Sequence, residues 1–273
     1  MGNTVNSLVH LRAGDVSVLL DLCDGRLPSI VHWGADLGAL EVGDAETMVL
    51  AGVAPIVPNV VDEPVRVAIL PEHWTGWVGR PGLSGSRQGR DWSPRFTTRS
   101  LHVDDQPVEA GSTRPSLLSL GASTLQVRAA DDSAGLGLTI TIELTASGLL
   151  RSCAELTNTG LDAYEVSDLV LAYPVPPLAR ELLDLAGRWG RERAPQRREL
   201  TVGTHLREGR KGRTGPDAAT VLHAGVPGFD FSTGEVWGVH TAWSGNHTHY
   251  AERLSTGEQV LGGGELLLPG EIV

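Results

Sequence analysis

Two neighbouring stretches of strict alternation constrain this chain more than any other feature. From Leu136 to Leu144 apolar and polar side chains alternate, which puts Leu138, Ile140, Ile142 and Leu144 on one face of an extended strand. After the turn Ala146-Ser147-Gly148 the alternation resumes. Leu150, Ser152, Ala154 and Leu156 share one face, Arg151, Cys153, Glu155 and Thr157 the other, and Asn158-Thr159-Gly160 ends the run. A period of two cannot form the single apolar stripe of a helix, so the pair reads as a β-hairpin.

The same pattern recurs along the chain. Strands are expected at Val16–Leu22, Ser29–Trp33, Thr97–Val103, Thr124–Ala129, Glu165–Leu171, Glu235–Trp243 and Glu265–Leu268. The 34 glycines and 16 prolines are spread throughout and punctuate these runs, as in sandwiches and barrels. Leu178–Ala186 fits either a helix through Leu178, Leu182 and Leu185 or a strand through Leu183, Leu185 and Trp189; its all-β surroundings favour the strand. Val57–Glu63, Trp77–Pro94 and the basic, glycine-rich Gly203–Pro216 read as loops, and the second is long enough to suggest a functional one. No internal repeat or low-complexity linker divides residues 1–273, so a single domain is expected.

Charge narrows the partners. A net charge of −11 repels phosphate backbones and anionic lipid, which argues against nucleic acid and membrane surfaces. No apolar run reaches the roughly 18 residues of a spanning helix. Only Cys23 and Cys153 are present, both in strand-like runs, and the expectation is two buried free thiols rather than a disulfide framework. The start shows no basic segment followed by an apolar one, so a cytoplasmic location is expected.

Several segments in order resemble glycoside hydrolase family 36, the microbial α-galactosidases and their relatives. They are Leu70-Pro-Glu-His-Trp-Thr-Gly-Trp77 leading to Gly89-Arg-Asp-Trp-Ser-Pro-Arg-Phe96, Gly187-Arg-Trp-Gly-Arg-Glu-Arg-Ala-Pro-Gln-Arg197, and Gly225-Val-Pro-Gly-Phe229. Gly234-Glu-Val-Trp-Gly-Val-His240, Trp243-Ser-Gly-Asn246 and Leu261–Glu271 follow. The resemblance implies an all-β fold, a large antiparallel β-supersandwich of two packed, twisted sheets with little helix. In that family the sandwich precedes a (β/α)₈ barrel that carries the two catalytic Asp carboxylates for retaining hydrolysis of terminal α-galactosides. A barrel needs about 200 residues or more of alternating strands and helices, and no such run exists here. No catalytic residue is therefore carried over. What is expected is a non-catalytic amino-terminal domain that works with the missing barrel, forms a homo-oligomer and meets α-galactosides of the raffinose or melibiose type.

The Trp74–Trp92 loop holds three of the seven tryptophans together with Arg80, Arg87, Arg90 and Asp91. An indole stacks on the apolar face of a pyranose, and Asp or Arg satisfies its hydroxyls. The same tryptophans could equally plug one end of the sandwich. In the family this loop carries a Gly-Asp-aromatic-Arg-x-Pro motif whose Asp reaches the sugar site. Asp91-Trp92-Ser93-Pro94 resembles a version one residue shorter and without the Arg. The resemblance singles out Asp91 and Trp92 as substrate-binding candidates, with Arg90 and Trp77 beside them.

His247 and His249 are two apart on a strand and could share a ligand, but a third ligand is missing, and neither a metal nor another cofactor is expected. Gly203–Arg213 suggests phosphate binding but lacks the Gly-Lys-Ser/Thr ending of a P-loop, which favours a solvated or partner-ordered loop. Two rival functions stay open. One is a stand-alone carbohydrate-binding module using the aromatic loop. The other is a mutarotase-type epimerase, which needs a Glu base opposite a His acid drawn from His73, His102, His240, His247 or His249.

Overall fold

A computed structural model describes residues 7–56, 58, 63, 65–108, 115–216 and 221–267. In chain order the first strands are β1 (Ser7–Ala13), β2 (Val16–Asp21), β3 (Ser29–Ala35), β4 (Leu83–Ser86), β5 (Thr97–Val103), β6 (Gln106–Pro107), β7 (Ser116–Leu120), β8 (Ser123–Asp131) and β9 (Leu136–Leu144). They are followed by β10 (Leu150–Asn158), β11 (Glu165–Pro174), β12 (Glu181–Arg188), β13 (Arg191–Glu199), β14 (Gly203–Gly209), β15 (Val221–Gly225), β16 (Val236–His240), β17 (His247–Arg253) and β18 (Gln259–Leu266).

The all-β, antiparallel class is observed. Hydrogen bonding divides the strands among four sheets, a finer partition than two continuous ones: β3-β2-β1-β7, β10-β9-β8-β5-β6, β14-β17-β18-β11-β4 and β13-β12-β15-β16. Every pairing among them is antiparallel except β1 with β7. The β9–β10 hairpin has the register its alternation demands, with Leu144 opposite Leu150 and Leu138 opposite Leu156. Leu138, Ile140, Ile142 and Leu144 are buried against Val9, Leu11, Val18 and Leu20 of β1 and β2. Burial of a side chain of this size contributes about 1.5–3 kcal/mol, so this row is a main source of cohesion between the two sheets.

A second core lies between the β12–β15 pair and β17–β18, where Leu182, Leu222 and Ala224 meet Ala251 and Leu261. The opposite face of the β14-β17-β18-β11-β4 sheet presents Val170, Ala172, Tyr250 and Val260 and is closed by Trp77. Gly262 permits this closure, because a Cβ there would collide with the ring of Tyr250.

Some expectations are corrected. A helix, α1 (Val42–Ala51), follows β3; Glu41 and Asp44 cap it reciprocally, and Ala45 and Met48 pack on Leu8 and Leu19. Val42, Ala45, Met48 and Val49 do share one face, but a single short span that includes Gly43 carries little helical signal among strands. Gly203–Pro216 is not wholly a loop, since β14 occupies its first half, and β4 lies within Trp77–Pro94. Leu178–Ala186 resolves in favour of the strand β12. Both thiols are free, but Cys153 is exposed on β10 and Cys23 is only half-buried in a 3₁₀ turn, so neither is a core residue. The Val57–Glu63 loop, apart from Pro58 and Glu63, and Leu268 at the end of the last expected strand lie outside the described residues.

Candidate sugar-rim site

The loop from Glu72 to Phe96 is ordered by a few buried polar anchors. His73–Thr75 forms one 3₁₀ turn, closed by Gly76 at φ +88°. The chain then drives Trp77 into the sheet, where its indole N–H donates to the Arg80 carbonyl at 2.9 Å. Arg80 is fixed on both sides. Its backbone N–H donates to Glu252 Oε2 at 2.7 Å, and its guanidinium pairs with Asp168 at 3.0 Å over the face of Tyr250. β4 then adds an edge strand beside β11.

A two-residue turn follows. Arg87 and Arg90 exchange backbone hydrogen bonds at 2.8 and 3.0 Å across Gln88 and Gly89, which both have positive φ, +52° and +78°. That backbone matches the type I′ hairpin. Arg87 points inward, and its Nη2 donates to the Ala134 carbonyl and Asn158 Oδ1. Arg90 stays exposed.

The four candidates separate clearly. Asp91 and Trp92 sit at the loop crest. Asp91 adopts φ +56°, its carbonyl accepts from the Tyr164 hydroxyl at 3.1 Å, and its half-exposed carboxylate lies 3.5 Å from Arg87 Nε. Trp92 is 60% exposed and stands edge-on to His73, ring centroids 5.6 Å apart. Arg90 flanks them. Trp77 is 3% exposed, so it plugs the sheet and offers no face to a ligand from solvent. Its role is the end-plug reading of these tryptophans, whereas Trp92 has the accessibility that stacking requires.

Glu72 went unnoticed in the sequence. It lies beneath Trp92 and His73 in the same shallow depression, buried, with Oε1 accepting from the Phe96 N–H at 2.9 Å. Burial pushes its pKa up to about 7, against the opposing pull of the Phe96 N–H and the Trp74 indole. Shifts of this kind concentrate at working sites but also at structural ones. The signal was present: an acid inside Ala68-Ile-Leu-Pro-Glu72, an otherwise apolar run. Behind it, Trp74 has the Arg95 and Arg26 guanidiniums 4.5 and 5.9 Å from its ring.

A second polar constellation lies deep between sheets. Asp184 of β12, 0% exposed, receives His205 Nε2 and Arg207 Nη1 at 3.0 Å each and stands 3.8 Å from His249 Nε2. Burial alone would raise its pKa, but the hydrogen bond from His205 and the nearby His249 and Arg207 side chains outweigh that and hold it low. His247 and His249 do share a face of β17, with rings 6.2 Å apart. His249 is turned to Asp184, which makes the cluster a buried ion network.

Comparison with known proteins places the chain. The model of the glycosyl hydrolase family 36 N-terminal domain matches residues 26–273. An α-galactosidase of Escherichia coli is 32% identical over 242 residues, which cover 89% of this chain and 31% of that protein. Among solved structures, the α-galactosidase of Lactobacillus brevis superposes on the whole chain with a TM-score of 0.80 at 15% identity, over 39% of its own length. A variant of AgaA from Geobacillus stearothermophilus in complex with raffinose gives 0.73 at 21% identity, over 97% of this chain and 39% of that one. At such identities the structural likeness speaks to the fold. The chain spans 31–38% of the length of the curated relatives it matches.

Proposed function

The chain belongs to the glycosyl hydrolase family 36 N-terminal domain family, and from that premise we propose that it is the non-catalytic amino-terminal domain of an α-galactosidase. In this reading its four sheets form the family's supersandwich. It braces a catalytic (β/α)₈ barrel and lends the crest residues Asp91, Trp92 and Arg90 to the rim of a site for α-galactosides of the raffinose type. The observation that carries the proposal is the match of an all-β chain to an amino-terminal family over residues 26–273. Retaining hydrolysis requires two carboxyl groups about 5–5.5 Å apart on either side of the scissile bond. At the crest, Asp91 is tied to Arg87 and Glu72 is buried beneath Trp92, an arrangement suited to holding a ring rather than cleaving it.

The test is turnover. The 273-residue chain should leave an aryl α-galactoside intact, while a polypeptide continuing through a barrel hydrolyses it. Turnover by this chain that disappears when one of its own acids is changed would overturn the proposal.

The exposure of Trp92 favours one alternative, a self-sufficient carbohydrate-binding module. Calorimetry with galactose and raffinose distinguishes it: saturable binding lost in Trp92→Ala supports the module, and no heat supports a rim that needs the barrel. Cytoplasmic residence is also proposed, supported by two free thiols. Homo-oligomeric assembly is proposed on the exposure of Phe231 and Trp243, large rings of the kind that subunit contacts cover. Sedimentation velocity checks the assembly.

A further inference from the structure

Charge is distributed unevenly. Residues 187–213 carry nine of the 22 basic residues and three of the 33 acids, a net of +6 against −17 for the rest of the chain. The three acids are engaged. Glu208 pairs with Arg210 and Glu199 with Arg180, and Glu192 accepts the Gly190 N–H. No recorded ion pair among the described residues reaches Arg188 or Arg213.

The fold shapes this basic segment into a cleft. The β12–β13 hairpin turns at Trp189-Gly190, with Gly190 at φ +75°, and Trp189 emerges 89% exposed. The β12–β13 register shifts at Gly187, where a Cβ would meet the Arg191 carbonyl and, at 2.9 Å, the Arg193 nitrogen. Only a glycine lets the two strands approach so closely. Opposite the hairpin, the turn carrying Lys211 and Arg213 is pinned by the Gly212 N–H donating to Asn246 Oδ1 at 2.8 Å. The cleft between them has a volume of about 190 Å³, and Arg188, Trp189, Lys211 and Arg213 line it together with Gly187 and Gly215.

We infer that this cleft is a binding site for a single sugar ring bearing an acidic group, a phosphate monoester or a carboxylate. The indole of Trp189 supplies a stacking face, and Arg188, Lys211 and Arg213 supply the charge. Size sets the limit: 190 Å³ is below the ~300–1,000 Å³ of sites for larger ligands, so it suits one ring rather than an oligosaccharide. A neutral galactoside would leave the Arg188 and Arg213 guanidiniums without an acidic partner. The site is thus distinct in chemistry from the rim at Asp91 and Trp92, and it does not depend on the rim reading.

The experiment titrates the 273-residue chain with galactose 1-phosphate, galacturonate, galactose and inorganic phosphate, followed by calorimetry and tryptophan fluorescence. The two acidic sugars should saturate, at least about tenfold tighter than either galactose or phosphate alone, because each of those lacks one half of the recognition. The phosphate and carboxylate arms identify which acid is preferred. Trp189→Ala and Arg213→Ser should each weaken that binding about tenfold with an unchanged circular dichroism spectrum, whereas Leu161→Ala, at an exposed position outside the cleft lining, should not change it. Equal affinity for phosphate and the acidic sugars would reduce the cleft to non-specific electrostatics and overturn the inference. So would an absence of saturation combined with salt-sensitive self-association lost in Arg213→Ser, which would make the cleft a protein contact.

Discussion

The guanidinium of Arg87 and the carboxylate of Asp91 stand 3.5 Å apart, and their contact joins a buried anchor to a half-exposed crest. Arg87 also donates to Ala134 and Asn158 and lies over the ring of Tyr164, whose hydroxyl holds the Asp91 carbonyl. The two partners should therefore respond differently to substitution. Arg87→Ala strands buried acceptors and should cost about 3 kcal/mol of stability. Asp91→Asn breaks a solvent-screened contact and should cost about 1 kcal/mol or less. Urea denaturation of both variants measures this; equal losses would mean that Asp91 is as structural as Arg87.

Trp77 and Trp92 form a second contrasting pair. Trp77→Ala opens a cavity against Val170, Tyr250 and Val260 and should cost about 3–5 kcal/mol. Trp92→Ala should stay within about 0.5 kcal/mol, since its ring stands mostly in solvent. Thermal melts of the two proteins are sufficient to decide.

Glu72 makes stability depend on pH. Its pKa is about 7 in the folded chain, against 4.5 for the ordinary side chain. The unfolded chain therefore releases this proton first, and folding becomes less favourable as pH rises from about 4.5 to 7. Below that window both states hold the proton and no penalty applies. The loss is on the order of 3 kcal/mol. Glu72→Gln keeps an acceptor for the Phe96 N–H and removes the titration. Its stability should be flatter across the window and higher than wild type at pH 8; an unaltered slope would assign the pH dependence elsewhere.

Asp184 should be the least tolerant acid in the second core. Asp184→Asn leaves Arg207 beside a neutral amide and deprives His205 of a charged acceptor, a change expected to cost about 3–5 kcal/mol. Removing Arg207 as well should restore part of that loss, and a double-mutant cycle would measure the coupling. Simple additivity of the two single losses would show that the pair does not interact.

The two thiols should react unequally. Cys153 is exposed, whereas burial and the neighbouring Asp21 carboxylate push the Cys23 thiol up to about 12. The thiolate is the reactive form. A native thiol assay at pH 8 should titrate Cys153 within minutes and Cys23 only after denaturation. Prompt reaction of both would contradict this packing.

The β9–β10 hairpin and most of the strands were legible because alternation is a local property. Each strand writes its buried face into every second residue, whatever it packs against. The family segments were equally readable in order and spacing. Less legible were α1, a short span whose apolar face is offset by Gly43, and β13, whose almost wholly exposed polar residues mark no apolar face. Trp77 and Trp92 show where reading stops. They are the same residue type in the same loop, and the apolar face of the β14-β17-β18-β11-β4 sheet that Trp77 covers decides that one is a plug and the other a crest.

By itself the sequence determined the all-β class, the β9–β10 hairpin and the loop in which the candidate residues lie, since periodicity and turn chemistry act between near neighbours. Only the tertiary structure decided which side chains meet. It brought Asp184 to His205, Arg207 and His249, placed Glu72 under Trp92, and set Lys211 and Arg213 opposite Trp189. Most of these contacts join residues on different sheets or loops, and even Glu72 and Trp92 lie far apart along their own loop. Burial and charge at such sites arise from the packing of several segments at once, which no single stretch of sequence contains.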